Sequence, residues 1–269
     1  MFWLLLIPAT LAALVVLGLF ARWVMDNPRG EDDVVFGIAY RATQIYARVV
    51  HRLDVAGAEH VPASRAPGPL IVVCNHTAGI DPIMIQAACP FEIRWMMAED
   101  MRSPLLEPMW QWLRIIDVDP GGSDSRALRE AIRHLEAGGV IGLFPEGGLE
   151  RPPRRIRPFH PGLGFLVRKA GARVLPMVID GTPQVDPAWA SLWKSSETSL
   201  RVLPVMDFSQ ARLKPQEITD QLRARFMEWT GWVGNDDPGP PPAIPEGAFL
   251  SRAILSGAPG SERRLRTGA

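Results

Sequence analysis

The sequence predicts an α/β protein, a mostly parallel sheet flanked by helices, preceded by an N-terminal transmembrane helix. Three observations predict it. Short apolar runs at 70–74, 115–119, 140–144 and 174–179 each end in turn-forming residues, as buried strands do. Helical patterns lie between them, at 83–88, 123–138 and 162–171, and strands alternating with helices imply parallel pairing with helices on both faces. Finally, Phe2 to Ala21 contains no charged residue, and at about 1.5 Å per residue that stretch spans about 30 Å, the thickness of a bilayer's hydrocarbon core.

No basic residue precedes Arg22, whereas a secretory signal peptide opens with positive charge and ends in a small-residue cleavage site. Trp3 and Trp23 stand at the two ends of the run like interfacial anchors, so residues 1–24 read as an uncleaved membrane anchor. Arg22, Arg29, Arg41, Arg48 and Arg52 follow it, which by the positive-inside tendency puts the body of the protein in the cytoplasm. Residues 30–55 hold an amphipathic or interfacial helix. Val35, Ile38, Ala42, Ile45 and Val49 recur at three- and four-residue steps, with Arg41, Gln44 and Arg48 opposite. Two readings stand: a helix lying in the membrane surface, or one packed on the domain.

The composition excludes some classes. Basic and acidic residues balance at 29 each, so no global field argues for nucleic acid. Nearly all the basic residues are Arg, the exceptions being Lys169, Lys194 and Lys214, which fits either base composition or phosphate binding. Cys74 and Cys89 lack metal-ligand spacing and make no disulfide framework, and no phosphate-cradling glycine loop or metal cluster is present.

Along the rest of the chain, 56–69 reads as a connector and 91–113 as an apolar wall rich in Met and Trp. That wall is either ordinary core or a channel for a hydrocarbon chain. Ser123 or Asp124 caps the helix that Gly138-Gly139 stops, and Gly121-Gly122 is a helix-boundary pair. Residues 215–230 form the last helix. The Pro/Gly-rich tail, 234–269, cannot bury a core and reads as disordered, with Arg263, Arg264 and Arg266 either solvated or against anionic lipid.

The chemistry gathers at the end of the Leu70–Cys74 run. Asn75-His76 follows at the carboxyl end of the predicted strand, where open α/β sheets place their ligands. Asp81-Pro82 then reads as a helix N-cap and first turn. An imidazole titrates near pH 6.5 and a neighbouring carboxylate favours its charged form, so His76 and Asp81 suit a base and the group that orients it. A structural histidine and a plain N-cap are the alternatives.

These residues resemble a known family. Asn75 to Pro82 matches the Asn-His-(any four)-Asp block of the glycerolipid acyltransferases, of which the 1-acylglycerol-3-phosphate acyltransferases are best known. Phe144-Pro145-Glu146-Gly147 matches that family's Phe-Pro-Glu-Gly-Thr-Arg-Ser block, about seventy residues downstream. Val174 to Val178 resembles its last apolar block centred on a proline, and His160-Pro161-Gly162 sits where a turn precedes a helix. The likeness runs over roughly residues 50–205 and implies an acyltransferase domain at 56–233.

It further implies that His76 is the general base and that Asp81 holds its tautomer. The base would deprotonate a hydroxyl of a lysolipid such as 1-acylglycerol-3-phosphate, which attacks an acyl thioester carried by coenzyme A or acyl carrier protein. Asn75, Glu146, Gly147 and Gly148 would bind substrate, with no bound cofactor and no metal. Two departures bear on the acceptor. The Thr-Arg-Ser of the block is replaced by Gly148-Leu149-Glu150, and the arginine expected after the 115–119 strand is Pro120. Both missing arginines would hold the acceptor phosphate. Arg151, Arg154, Arg155 and Arg157 follow at once and either supply that charge from a shifted position or form a solvated basic loop. Membrane lipids and the acyl carrier are the expected partners. Two other outcomes stay open on the same fold: a non-catalytic lipid-binding protein and an acyl-thioester hydrolase.

Overall fold

The computed structural model describes residues 2–119 and 125–236. The expected cap at Ser123 or Asp124, the glycines at 121–122 and nearly all of the tail lie outside the described residues. Helix α1, Phe2–Met25, is followed by α2, Val34–Val49, and strand β1, Asp54–Ala56. Then come β2 (Leu70–Cys74), α3 (Asp81–Ala88), β3 (Arg94–Ala98), α4 (Glu107–Trp112) and β4 (Ile116–Val118). The second half runs α5 (Ser125–Glu136), β5 (Val140–Leu143), β6 (Arg155–Ile156), α6 (Gly162–Ala170) and β7 (Arg173–Asp180). It closes with β8 (Ser199–Val202), α7 (Pro215–Thr230) and β9 (Val233–Gly234).

Seven strands form one sheet in the order β1-β8-β7-β2-β5-β3-β4. Every pair in it is parallel except β7 with β8, and β6 and β9 pair separately as a short parallel ribbon. Strand β2 lies between β5 and β7 and is buried along its whole length. Ile71 and Val73 point into a core built with α5, α6 and α7. Leu70, Val72 and Cys74 point into a second core closed by α2 and α3. A strand covered on both faces reads as an unbroken apolar run, and so it does here.

The 91–113 wall divides. Trp95 lies on β3 and Trp110 on α4, both buried, whereas Leu105, Leu106 and Met109 are exposed. Helix α2 also divides, in the sense opposite to a simple packed helix. Phe36, Gly37, Tyr40 and Ala47 are buried, and Val35, Ile38, Ala42, Ile45 and Val49 face outward. Polar ties hold the buried face: Tyr40 Oη donates to Cys89 O at 2.9 Å, and Tyr46 Oη donates to Leu192 O at 2.5 Å while accepting from His51 Nε2 at 2.9 Å. Within α1, Ile7–Met25 is long and apolar enough to cross a membrane, and only 6% of its apolar window is buried.

Candidate active site

The parallel order delivers the functional loops to one edge. β2 and β5 are neighbours in register, Val73 opposite Leu143, so the residues after each emerge side by side. The loop after β2 carries His76; the loop after β5 carries Phe144 and Glu146.

His76 Nδ1 lies 2.9 Å from Asp81 Oδ2. Asp81 is completely buried, and the same oxygen accepts the N–H of Thr77 at 2.7 Å and of Ala78 at 2.8 Å. A carboxylate so placed only accepts, so His76 donates through Nδ1 and its Nε2 keeps a free lone pair. Nε2 has no hydrogen-bond partner among the described residues. Asp81 therefore does not cap α3, contrary to the sequence expectation: its acceptors turn back to the amides of its own loop, and the helix begins without a side-chain cap. The loop is closed from a second side by a hydrogen bond between Thr77 Oγ1 and Thr182 Oγ1, 2.6 Å long. Gly79 is needed because a Cβ there would sit 2.6 Å from the carbonyl oxygen of Ala188.

The imidazole is also held by its faces. Its ring stacks on Phe144 with centroids 3.8 Å apart and planes 11° apart, and Phe144 stacks in turn on Trp95 at 5.1 Å. In the sequence Phe144 stands only as part of a motif. The strand-end position hinted at it, but the β2–β5 register that brings the two rings together is a long-range property.

Two residues expected to bind substrate have their polar atoms committed to the fold. Asn75 is buried; its Nδ2 donates to Ile179 O at 2.8 Å and its Oδ1 accepts from Ile179 N at 2.9 Å, riveting the end of β2 to β7. Glu146 is buried as well, and its two carboxyl oxygens accept the N–H of His76 at 3.0 Å and of Arg157 at 3.1 Å. It is a brace between the histidine loop and the arginine run. Burial pushes its carboxyl up to about 7, against the lowering pull of those two N–H groups. Gly147 is exposed with φ +66, the left-handed turn that swings the chain away from Glu146, and Gly148 follows it.

The arginines separate. Arg151 Nη1 donates to Thr77 O and to Glu150 O, each at 2.8 Å, while Glu150 N donates to His76 O at 3.0 Å. Residues 150 and 151 thus hold successive carbonyls of the histidine loop. Arg154 is exposed and pairs with Asp180 at 3.2 Å; Arg155 is exposed on β6. A groove of about 550 Å³ lined by Arg29, Glu92, Arg114 and His134 lies at the opposite edge of the sheet, before β3, β4 and β5, and plays no part in this arrangement.

The family model described as Acyltransferase matches residues 52–180, which contain both the His76–Asp81 loop and the Phe144–Gly147 turn. Residues 52–180 are an acyltransferase-family domain by this match. The chain is 30% identical over 152 residues to a protein of Arabidopsis thaliana named N-acylphosphatidylethanolamine synthase. The match covers 51% of this chain and 53% of that protein, so the chain spans about half the length of the curated relative it matches. Its fold is similar to the crystal structure of the 1-acyl-sn-glycerophosphate acyltransferase PlsC from Thermotoga maritima, with a TM-score of 0.61 and 20% identity, covering 80% of this chain and 88% of that one. The expected α/β architecture and family are both found.

Proposed function

We propose that the protein transfers an acyl group from an acyl thioester, coenzyme A or acyl carrier protein bearing it, to a hydroxyl of a lysolipid. The observation that supports this reading is the His76–Asp81 pair inside an acyltransferase domain, with Nδ1 occupied and Nε2 free. Nε2 takes the hydroxyl proton as that oxygen attacks the thioester carbonyl. The tetrahedral intermediate collapses by breaking the C–S bond, and the proton passes from His76 to the departing thiolate. Asp81 keeps the imidazole in its productive tautomer and balances the charge it gains. Asn75, Glu146 and Arg151 act by holding the loop, and Gly147 and Gly148 leave the chain open beside it.

The name of the Arabidopsis relative favours a second reading, in which the acceptor is the amine of an ethanolamine head group and the same base removes its proton. The test supplies the purified chain with acyl-coenzyme A or acyl carrier protein and a panel of lysolipids, with phosphatidylethanolamine included. New diacyl product supports the first reading, N-acylated product the second. Free fatty acid alone would make the protein a hydrolase, and no product with any acceptor, for wild type and His76→Ala alike, would make it a lipid-binding protein.

We place the chain at a membrane, with α1 as a single-pass anchor, the body on the cytoplasmic side and the outward stripe of α2 against the lipid surface. Vesicle flotation tests this. A chain lacking α1 keeps some binding through α2, and Ile38→Gln with Ile45→Gln removes it; binding unaffected by both changes would sink the placement.

A further inference from the structure

Resting on the acyl-transfer reading above, we infer that the acceptor lipid carries no phosphate monoester: its phosphate is a diester, or it has none. The basis is how the arginines beside His76 are already occupied. Arg151 Nε lies 3.8 Å from Asp186, Arg154 Nη2 lies 3.2 Å from Asp180, and Arg157 Nε lies 3.7 Å from Glu150. Three guanidinium groups face three carboxylates, and Glu146 adds an acid to the same neighbourhood through its bonds to His76 and Arg157. Arg155 makes no ion pair among the described residues, but it is exposed and hydrated, and one such charge is a poor clamp.

A phosphate monoester brings a charge of about −1.5 to −2 at neutral pH and is best held by the paired N–H groups of a guanidinium fork. Neither of the two less exposed forks, Arg151 and Arg157, is free of protein partners. Arg151 has its Nη1 on Thr77 O and Glu150 O, and Arg157 has its Nη1 on Leu149 O at 3.4 Å. The position where the family pattern has its own arginine is Leu149. The buried donors left without a hydrogen bond are single atoms on separate side chains, Arg151 Nη2 and Arg157 Nε. Single donors suit a hydroxyl, an ester carbonyl or one oxygen of a diester. A zwitterionic head group, neutral as a whole, also matches an environment whose charges already cancel. The second acid of the arrangement is fixed: Glu150 has 2% of its side chain exposed and its Oε1 accepts from Asn235 at 2.9 Å, so a ligand cannot push it aside cheaply.

The test compares kcat/KM of the full chain in mixed micelles for 1-acylglycerol-3-phosphate, 1-acylglycerophosphocholine and 1-acylglycerophosphoethanolamine of one acyl chain. The diesters are expected to lead by roughly tenfold, a difference worth about 1.4 kcal/mol. Asp180→Asn and Asp186→Asn, each removing one carboxylate from the pairs, are expected to raise the monoester relative to the diesters by roughly fivefold, the worth of one unit charge at contact distance in water. Asp186 is half-exposed, so its variant carries the test if Asp180→Asn does not fold. A wild-type chain that uses the monoester as well as or better than the diesters overturns the inference while leaving acyl transfer intact. Unchanged selectivity in the aspartate variants overturns the role given to the ion pairs. Transfer to none of the three overturns the reaction and the inference together.

Discussion

The His76–Asp81 loop and the arginine run that follows Glu146 lie side by side at one sheet edge, yet they are built differently. In the loop, short bonds between 2.6 and 3.0 Å tie the imidazole, Asp81 and Thr77, a ring stack fixes the plane, and only His76 Nε2 is left over. In the run, ion pairs are longer, at 3.2 to 3.8 Å, and Glu150 Oε2, Arg151 Nη2 and Arg157 Nε have no hydrogen bond. A reacting group must be held before the substrate arrives, because positional freedom reappears in the barrier. A recognition surface gains by keeping donors in reserve for its ligand. Changes in the loop should therefore cost rate, and changes in the run should alter which acceptor is used.

The largest effect tests the loop directly. His76→Ala is expected to lower kcat by 10²–10⁴-fold, roughly the worth of one positioned general base, with the thermal midpoint little changed. A smaller loss in kcat than that caused by Asp186→Asn would reverse the contrast between the two regions.

Glu146 belongs to both regions, and its effect appears in stability. Its carboxyl is raised to about 7 by burial, above the ordinary value of 4.5, so folding favours the protonated form. That contribution is fully present below pH 4.5 and is lost as the pH rises through 7, after which a buried charge must be carried. The shift corresponds to roughly 3 kcal/mol. Urea titrations of wild type and Glu146→Gln between pH 4.5 and 8 should show the wild type losing about that much stability relative to the variant. Parallel curves would show that the carboxylate is not desolvated.

Gly79→Ala comes next. Its Cβ would meet the Ala188 carbonyl at 2.6 Å, and the backbone shift needed to relieve that is expected to cost about 1–3 kcal/mol by denaturant titration, along with part of the activity. The smallest effect is that of Phe144→Leu, which keeps the apolar filling but removes the ring under His76. An aromatic pair contributes about 0.5–1.5 kcal/mol beyond its buried area, so kcat should fall roughly two- to tenfold with KM unchanged. No change in kcat would mean that Asp81 alone orients the imidazole.

Much of this was legible in the chain itself. The strands at 70–74 and 140–143 and the helices at 162–170 and 215–230 stand where their patterns predict, because apolar runs bounded by Gly and Pro are local signals. The β3 strand carries no such signal: Arg94-Trp95-Met96-Met97-Ala98 has neither β-branched residues nor alternation, and it becomes a strand by pairing with β5 and β4. Helix α2 is amphipathic in its sequence, yet which face is buried depends on distant surfaces: the end of α1 against Gly37, Trp112 against Phe36 and the residue after α3, Cys89, against Tyr40.

For the site, four residues separate His76 from Asp81, and a strand end followed by a helix start is enough to bring them together. That pairing is a property of spacing. The partners across the sheet are not. Asn75 and Glu146 look like ligand-binding groups because they are polar and lie in motifs; in the fold Asn75 meets the backbone of Ile179, 104 residues away, and Glu146 that of His76, 70 residues away, as well as that of nearby Arg157. The pairing of each arginine with its own carboxylate is likewise set by which loops converge at the edge of the sheet. Local pattern therefore carried the base and its fold, while long-range register determined what surrounds the base and what charge a substrate would meet there.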